Sequence, residues 1–237
     1  MGSGAVSEPR DGSVTAVLGI IAALEMEKRW IGFPEPLVEL SGVGDTRAEI
    51  AARRLAERGA TALVSWGVAG GLDRDLSPGT VILPDTVVGA DGSSHGVNLE
   101  WRNRLLERVR GRVVTSTSPL YHATSLITTA DEKRAIYERC GAGAADMESA
   151  AVARVAFANH ISWIAVRVVI DAADQDLPAA ILTATGDDGR LRVGSVAGLI
   201  LRPRFWRPLI ALGRAGATAG RSMRRLWAVA QPDLALS

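Results

Sequence analysis

Continuous apolar runs rich in β-branched residues alternate along the chain with segments of helical spacing. Such runs are typical of strands that are buried on both faces of a parallel sheet. The pattern predicts long strands at residues 14–24, 61–66 and 161–170, and shorter ones at 37–40, 80–83, 86–88 and 112–115.

Capping boxes mark two helix starts between these strands. In this pattern a Thr and a Glu three residues later satisfy each other's backbone N–H groups at the first turn. The pairs are Thr46 with Glu49, whose helix Gly59 would end, and Thr129 with Glu132. Asp146 is expected to cap a third helix. The alternation predicts a three-layer α/β/α fold with a central, largely parallel (mixed) sheet.

The C-terminal region differs from the rest in composition. Residues 190–232 hold nine arginines and no acidic residue. We therefore divide the chain into a disordered leader (1–13), a catalytic domain (14–189) and a basic, amphipathic helical segment (190–237). On a helix, four arginines would share one stripe and five apolar side chains would lie opposite. These are Arg207, Arg214, Arg221 and Arg225, and Phe205, Leu209, Leu212, Met223 and Trp227.

Two interpretations of this segment remain open. It can lie on a membrane surface, with arginines at anionic headgroups, or it can pack on the domain or on a dimer partner. A nucleic-acid partner is not expected, because 27 basic and 26 acidic residues leave a net charge of only +1. No apolar stretch reaches the length of a membrane span.

Several cofactor and metal classes are disfavoured by the sequence. Cys140 is the single cysteine, and the three histidines show no ligand spacing, so we expect neither a disulfide nor a metal site. The Gly42-Val43-Gly44 sequence lacks the third glycine of a dinucleotide fingerprint. We expect no cofactor, and a cytoplasmic protein.

Candidate chemistry follows three of the predicted strands. Glu27 comes after the first strand, a glycine-rich turn at residues 67–71 after the third, and Asp171 after the last. Ligands of parallel sheets bind at the carboxyl ends of the strands. Two carboxyl groups beside a glycine-rich turn are therefore suited to acid–base chemistry on a closely held ligand.

Five sequence motifs, in this order, resemble the nucleoside phosphorylase and nucleosidase superfamily. They are GIIAALEMEKR, LSGVG, SWGVAGGL, AADMESAAVA and VRVVIDAADQ, and the resemblance covers residues 14–178. The SWGVAGGL and DMESAAVA motifs, together with the basic tail, look most like the hopanoid-associated phosphorylase branch. Methylthioadenosine/adenosylhomocysteine nucleosidases are the related, well-understood enzymes.

The resemblance implies a role for each matching position. Glu27 would activate water and Asp171 would protonate the purine, while Glu148 would accept hydrogen bonds from the ribose hydroxyls. The remaining expected substrate contacts are Met147 at the ribose, Ala69 and Gly70 at the ribose and nucleophile, and Leu126 and Ile127 at the adenine. Asp171 should be shielded enough to keep its proton, and Glu27 either wet or well bonded.

Three positions depart from the nucleosidase pattern. Ile170 stands where a Ser commonly orients the acid, Thr124 where an Asp is usual, and Val68 where the glycine turn has a small polar residue. The nucleophile also stays open. No arginine is clearly placed to offset the repulsion between phosphate and Glu27, although Arg29 and Arg47 are candidates; the residues favour water, and the branch favours phosphate as co-substrate.

The implied activity is cleavage of the N-glycosidic bond of a 5′-substituted adenine nucleoside. The resemblance favours adenosylhopane, a lipid-linked nucleoside of hopanoid biosynthesis, as substrate. We also expect a homodimer and a peripheral contact with the inner face of the membrane. The alternatives are a methylthioadenosine/adenosylhomocysteine nucleosidase, a general purine nucleoside phosphorylase, and a non-catalytic protein that binds nucleosides or lipids.

Overall fold

The computed structural model describes residues 16–32, 36–177 and 206–234, with side chains of the last range described for 213–231. The predicted leader and the predicted domain boundary at residue 189 lie outside these residues. So do Phe205 and the side chains of Arg207, Leu209 and Leu212.

Ten strands and six helices form the described part of the chain. The strands are β1 (Leu18–Ala22), β2 (Leu37–Leu40), β3 (Ala62–Gly71), β4 (Val81–Ile82), β5 (Thr86–Gly89), β6 (Ser94–Gly96), β7 (Thr115–Ser116), β8 (Leu120–His122), β9 (Ala144–Asp146) and β10 (Ser162–Asp171). The helices are α1 (Glu25–Lys28), α2 (Asp45–Glu57), α3 (Leu99–Val109), α4 (Ala130–Cys140), α5 (Ser149–Ala158) and α6 (Trp206–Leu234).

All ten strands belong to one mixed sheet. Its order is β6-β5-β8-β9-β3-β10-β4-β7, with β1 between β3 and β2. The pairs β1–β2, β1–β3, β3–β10, β5–β8, β8–β9 and β4–β7 are parallel, and the pairs β3–β9, β4–β10 and β5–β6 are antiparallel. The predicted α/β class with a largely parallel, mixed sheet is confirmed.

Strand β3 changes its neighbour on one side half-way along its length. Its first half pairs with β1, as far as Trp66 opposite Ala22, and its end pairs with β9, from Gly70 onwards. Strand β10 lines the other side over the full length of β3. The glycine-rich segment 67–71 is therefore part of a strand, and our prediction that it forms a turn is wrong. The segment between Trp66 and Gly70 has one edge open for side chains.

One of the two predicted capping boxes is present. Thr129 and Glu132 cap α4 reciprocally. Helix α2 instead begins at Asp45, after Gly44 at φ 104°, and has no side-chain cap, so the prediction at Thr46 is wrong. The physical reason is that the N–H group of Gly44 donates to a distant carboxylate, described below, and the left-handed backbone of this glycine aims it there.

Helix α6 packs its apolar face on the domain. The ring of Trp227 meets that of Trp66 edge-on, with centroids 5.9 Å apart, and Met223 is fully buried. Gly220 lies against the indole of Trp30, which leaves no room for a side chain there. The predicted apolar side of this segment is thus inside the protein over the described range. Among the described helices, none has the length and apolar character to cross a bilayer.

We predict that Trp227→Ala lowers the free energy of unfolding by about 3–5 kcal/mol, because it removes a large buried ring whose space cannot fully collapse. Chemical denaturation monitored by circular dichroism measures the change. The control is Arg225→Ala, an exposed position on the same helix, which should change stability by less than about 0.5 kcal/mol. Equal unfolding midpoints for the two variants would contradict this packing.

Candidate active site

The buried guanidinium of Arg167 is the centre of the site. It lies on β10 with 1% of its surface exposed, in a strand that is otherwise apolar apart from its ends. One nitrogen, Nη2, lies 2.8 Å from Asp146 Oδ2 and donates to Ser65 Oγ at 2.6 Å. The other, Nη1, lies 3.5 Å from Glu148 Oε2. An isolated buried charge would be very unfavourable, so these carboxylates keep Arg167 in place.

Glu27 lies near the same guanidinium, whose charge acts on it, at the open edge of β3. It lies on α1 directly after β1, and its Oε2 accepts the N–H groups of Ala23 and Leu24, both at 2.8 Å. Its Oε1 accepts the N–H group of Val68 at 2.8 Å, in the stretch of β3 that neither β1 nor β9 pairs. The carboxyl is therefore buried and well bonded rather than wet.

Burial raises the pKa of Glu27 to about 7, although Arg167 and the N–H of Val68 favour its ionised form. Gly67 makes this approach possible. A Cβ atom at that position would overlap the Glu27 carboxyl and lie 2.7 Å from Arg167 Nη1. The site therefore holds a carboxyl group that changes its charge near neutral pH.

Glu148 is held between a strand end and a helix start. It follows β9, and its Oε1 accepts the N–H group of Gly44 at 2.9 Å, while the N–H of Met147 lies 3.4 Å from its Oε2. Burial raises the pKa of Glu148, against the opposing effect of Arg167. Although burial opposes it, Arg167 together with the neighbouring polar groups lowers the pKa of Asp146. Asp146 also accepts the N–H of Ser149, the first residue of α5. The N-cap residue of this helix is Glu148, however, so the prediction that Asp146 caps it is wrong.

Asp171 lies at the other end of the open stretch of β3. It is the last residue of β10 and pairs with Gly70, after a shift in register between Val169 and Asp171. Its carboxylate is buried and forms an ion pair with the buried ammonium of Lys133 on α4. Burial raises the pKa of Asp171, and Lys133 acts in the opposite direction. The rise per residue of a strand places Val68 and Gly70 about 7 Å apart.

The structure brings together some of the predicted site residues and leaves others at the margin. Glu148 pairs with Arg167, whose charge also acts on Glu27, and Asp171 lies beside Gly70, with Ala69 buried between the two ends. Met147 and Ile127 pack on a small apolar cluster apart from the main core. Leu126 is 40% exposed.

Sequence reasoning missed three charged groups of this site. Arg167 and Lys133 were not considered, and Asp146 was considered only as a helix cap. Arg167 carried a detectable signal, since it interrupts an apolar run predicted to be buried on both faces. The ion pair of Lys133 carried none, because residue 133 lies on a helix of mixed polarity, 38 positions from Asp171.

His122 extends the charged cluster towards α2. Its Nε2 lies 3.0 Å from Asp45 Oδ1 and its Nδ1 lies 3.8 Å from Asp146 Oδ1. Burial disfavours the imidazolium, but Asp146, Asp45 and Glu148 outweigh it and raise the pKa of His122. Within the described ranges, no group of three His, Cys, Asp or Glu side chains is arranged to hold a metal ion.

The arrangement is suited to acid–base chemistry on two sides of a bound molecule. Glu27, with a pKa of about 7, can accept a proton near neutral pH, and Asp171, with its raised pKa, can hold one. Groups whose pKa values are shifted towards the working pH are the efficient proton carriers. The fixed positive charge of Arg167 favours the ionised, proton-accepting form of Glu27.

Solved structures of low sequence identity share the fold of this chain. The nucleosidase for 5′-methylthioadenosine and S-adenosylhomocysteine from Neisseria meningitidis, in complex with methylthio-immucillin-A, is 16% identical with a TM-score of 0.67, covering 88% of this chain and 95% of that one. The corresponding enzyme from Colwellia psychrerythraea, in complex with adenine, is 16% identical with a TM-score of 0.68, covering 93% and 96%. Futalosine hydrolase of Helicobacter pylori is 14% identical with a TM-score of 0.66, covering 90% and 97%.

These likenesses confirm the predicted fold. None of the curated protein sequences compared with the chain shows significant similarity to it. The sequence profile of the Phosphorylase superfamily matches residues 19–201. The prediction of an enzyme of this superfamily is thereby confirmed, and the chain belongs to the Phosphorylase superfamily.

Proposed function

We propose that this protein cleaves the N-glycosidic bond of an adenine nucleoside by attack of water at ribose C1′. The observation that carries the proposal is the placement of Glu27 and Asp171 at the two ends of one open stretch of β3. Methylthio-immucillin-A and adenine, bound by two proteins of similar fold, support an adenine nucleoside as the ligand.

In the proposed step, Glu27 takes a proton from water while the water oxygen bonds to C1′. The bond between C1′ and the base nitrogen breaks, and its electron pair stays with the adenine. Protonated Asp171 gives its proton to the departing base. Glu148 accepts hydrogen bonds from the ribose hydroxyls, and its negative charge stabilises the cationic sugar, as carboxylates do in glycosidases.

The charges around Glu27 favour water over phosphate. Arg167 already serves Asp146 and Glu148, so it is not free to neutralise an incoming phosphate. Arg29 is exposed at the end of α1. Neither Arg167 nor Arg29 therefore offers a free cation to a phosphate anion that approaches the carboxylates. Water needs no such compensation.

We propose adenosylhopane as the 5′-substituted substrate, on the resemblance of the glycine and DMESAAVA motifs to the hopanoid-associated branch. Methylthioadenosine and adenosylhomocysteine are the competing substrates, and the similar fold of nucleosidases for these compounds supports them. General purine nucleoside phosphorolysis and nucleoside binding without catalysis are the other outcomes that the same assay separates.

We predict that the purified protein releases adenine from adenosylhopane in phosphate-free buffer, at a rate that added phosphate does not raise. Asp171→Asn should lower kcat by about a hundredfold or more, because it removes the proton of the general acid. Mass spectrometry of adenine, with methylthioadenosine and inosine as parallel substrates, measures both effects.

The control is Asp131→Asn, an exposed carboxylate on α4 that forms an ion pair with Arg134, and it should leave the rate unchanged. Strict dependence on phosphate would replace hydrolysis by phosphorolysis. Near-normal turnover by folded Asp171→Asn would refute the acid assignment. Nucleoside binding without adenine release would indicate a non-catalytic protein.

We predict that kcat/KM rises with pH through about 7 in the free enzyme. The pKa of Glu27 is about 7, and only its ionised form accepts the proton of water, so activity is lost as pH falls below this value. A pH series of initial rates measures the rise. Glu27→Gln should lower the plateau by at least about a hundredfold and abolish the rise. A flat profile from pH 5 to 8 in the wild type would contradict the role of Glu27.

We propose further that the outer face of α6 contacts anionic membrane. Arg214, Arg221 and Arg225 are exposed on this helix, whose opposite face is buried in the domain. Each arginine near an anionic surface contributes roughly 1 kcal/mol. Contact through this face would bring the site close to a substrate that partitions into lipid.

We predict that the triple variant Arg214→Gln, Arg221→Gln and Arg225→Gln loses most of the binding to phosphatidylglycerol vesicles at low salt. The matched control neutralises three exposed arginines elsewhere, Arg53, Arg110 and Arg134, which pair with acidic neighbours. Vesicle co-sedimentation at several salt concentrations compares the two. Equal losses in both variants would show only a net-charge effect and reject this surface.

A further inference from the structure

We propose that Lys133 is a positioning residue for Asp171, fixing one carboxylate oxygen so that the other delivers the proton to the base. This rests on the function proposed above. Lys133 donates to Asp171 Oδ2, to the carbonyl of Ala172 at 2.8 Å and to that of Gln175 at 2.8 Å. An ammonium group has three N–H donors, so all three are used.

The choice of lysine at this place fits the geometry of its acceptors. The chain has 25 arginines and only two lysines, and one of the two is buried here with 1% of its surface exposed. A compact ammonium can point one N–H at each of three oxygens around it, whereas a planar guanidinium presents its donors as a fixed fork. A buried ammonium is stable only when it is so paired.

The two oxygens of Asp171 have different surroundings. Lys133 donates to Oδ2, whereas no other described residue donates to Oδ1. Both oxygens lie beside Gly70, where a Cβ atom would be 3.4 Å from Oδ1 and 3.7 Å from Oδ2. Oδ1 is therefore the oxygen left to carry the proton, and Lys133 keeps the carboxylate from rotating.

Lys133 also joins the acid to the segment expected to bind the base. The loop after β10 contacts the start of α4 at two further points, where the N–H of Leu177 donates to the carbonyl of Thr128 and the N–H of Ala130 donates to Asp176, both at 2.8 Å. Residues 126–130 and 171–177 thus form one connected unit. A shift of Lys133 would therefore move the carboxyl group of Asp171 relative to the bound adenine.

The charge of Lys133 has a measurable consequence for Asp171. Burial raises the pKa of this carboxyl, and Lys133, through its charge and its hydrogen bond, lowers it; no other described charged group contributes to the shift. The nearby Asp176 accepts the N–H of Ala130. At high pH, kcat/KM is expected to fall where Asp171 loses its proton, and this fall is the alkaline limb of the profile. Removing the ammonium should therefore raise the pKa of Asp171 and move this limb to higher pH.

The test compares Lys133→Met, Lys133→Gln and Lys133→Arg with the wild type in the adenine-release assay. We expect each to lower kcat by about a hundredfold, with a smaller change in KM, because the acid is no longer aligned. The alkaline limb should move upwards in the two neutral variants and stay near the wild-type position in Lys133→Arg. Arg134→Met, which removes a neighbouring exposed charge, should match the wild type in both respects.

A second arm uses Asp171→Asn as background. Adding Lys133→Gln there should lower kcat less than twofold, because the residue acts through Asp171. The proposal is overturned if the neutral lysine variants keep the wild-type alkaline limb. It is also overturned if Lys133→Gln lowers kcat as much in the Asp171→Asn background as in the wild type. A lysine with a merely structural role gives both results. A wild type that releases no adenine overturns the proposed function as well, whereas an active wild type with fully active lysine variants overturns only the role of Lys133.

Discussion

The pairing of one buried guanidinium with several buried carboxyl groups is the constraint on which the site depends. Arg167 has Asp146 and Glu148 within ion-pair distance, and its charge also acts on Glu27. A cation this deep in the sheet requires these partners, and one cation cannot fully stabilise all of their negative charges. The pKa of Asp146 is therefore lowered, while those of Glu27 and Glu148 stay raised. Because the three carboxyl groups are stabilised unequally, Glu27 is left as a group that can accept a proton near neutral pH.

The change of neighbours along β3 provides the space in which these groups meet. Strand β1 leaves β3 after Trp66 and β9 joins it at Gly70, so the N–H of Val68 is free to bind the Glu27 carboxyl. Gly67 admits Glu27 and Arg167, because a Cβ atom there would overlap both side chains. This glycine is thus needed for close approach rather than for a turn. The opposite end of the opening is fixed by the ion pair between Lys133 and Asp171.

Helix α6 links the basic surface to this opening through the core. Trp227 packs on Trp66, and the indole N–H of Trp66 donates to the carbonyl of Glu27 at 3.2 Å. The same helix presents Arg214, Arg221 and Arg225 outside. Helix α6 therefore supports the backbone of Glu27, the proposed general base, and also carries the arginines that we propose contact a membrane. The sequence did not decide whether the apolar stripe of this helix contacts lipid or packs on protein. Over the described range, it packs on the domain.

The sequence by itself determined the long buried strands, the capping box of α4 and the superfamily, because apolar runs, local hydrogen-bonding residues and ordered motifs are all legible along the chain. It did not predict α1, α3 or the short strands β6, β8 and β9, which carry too few residues or too mixed a pattern to stand out. Only the tertiary structure decided that Gly67 and Gly70 lie inside a strand, that Gly44 gives its N–H to Glu148, and that Lys133 neutralises Asp171. These contacts join residues up to 104 positions apart, and their energies depend on burial and distance, which are properties of the folded chain alone.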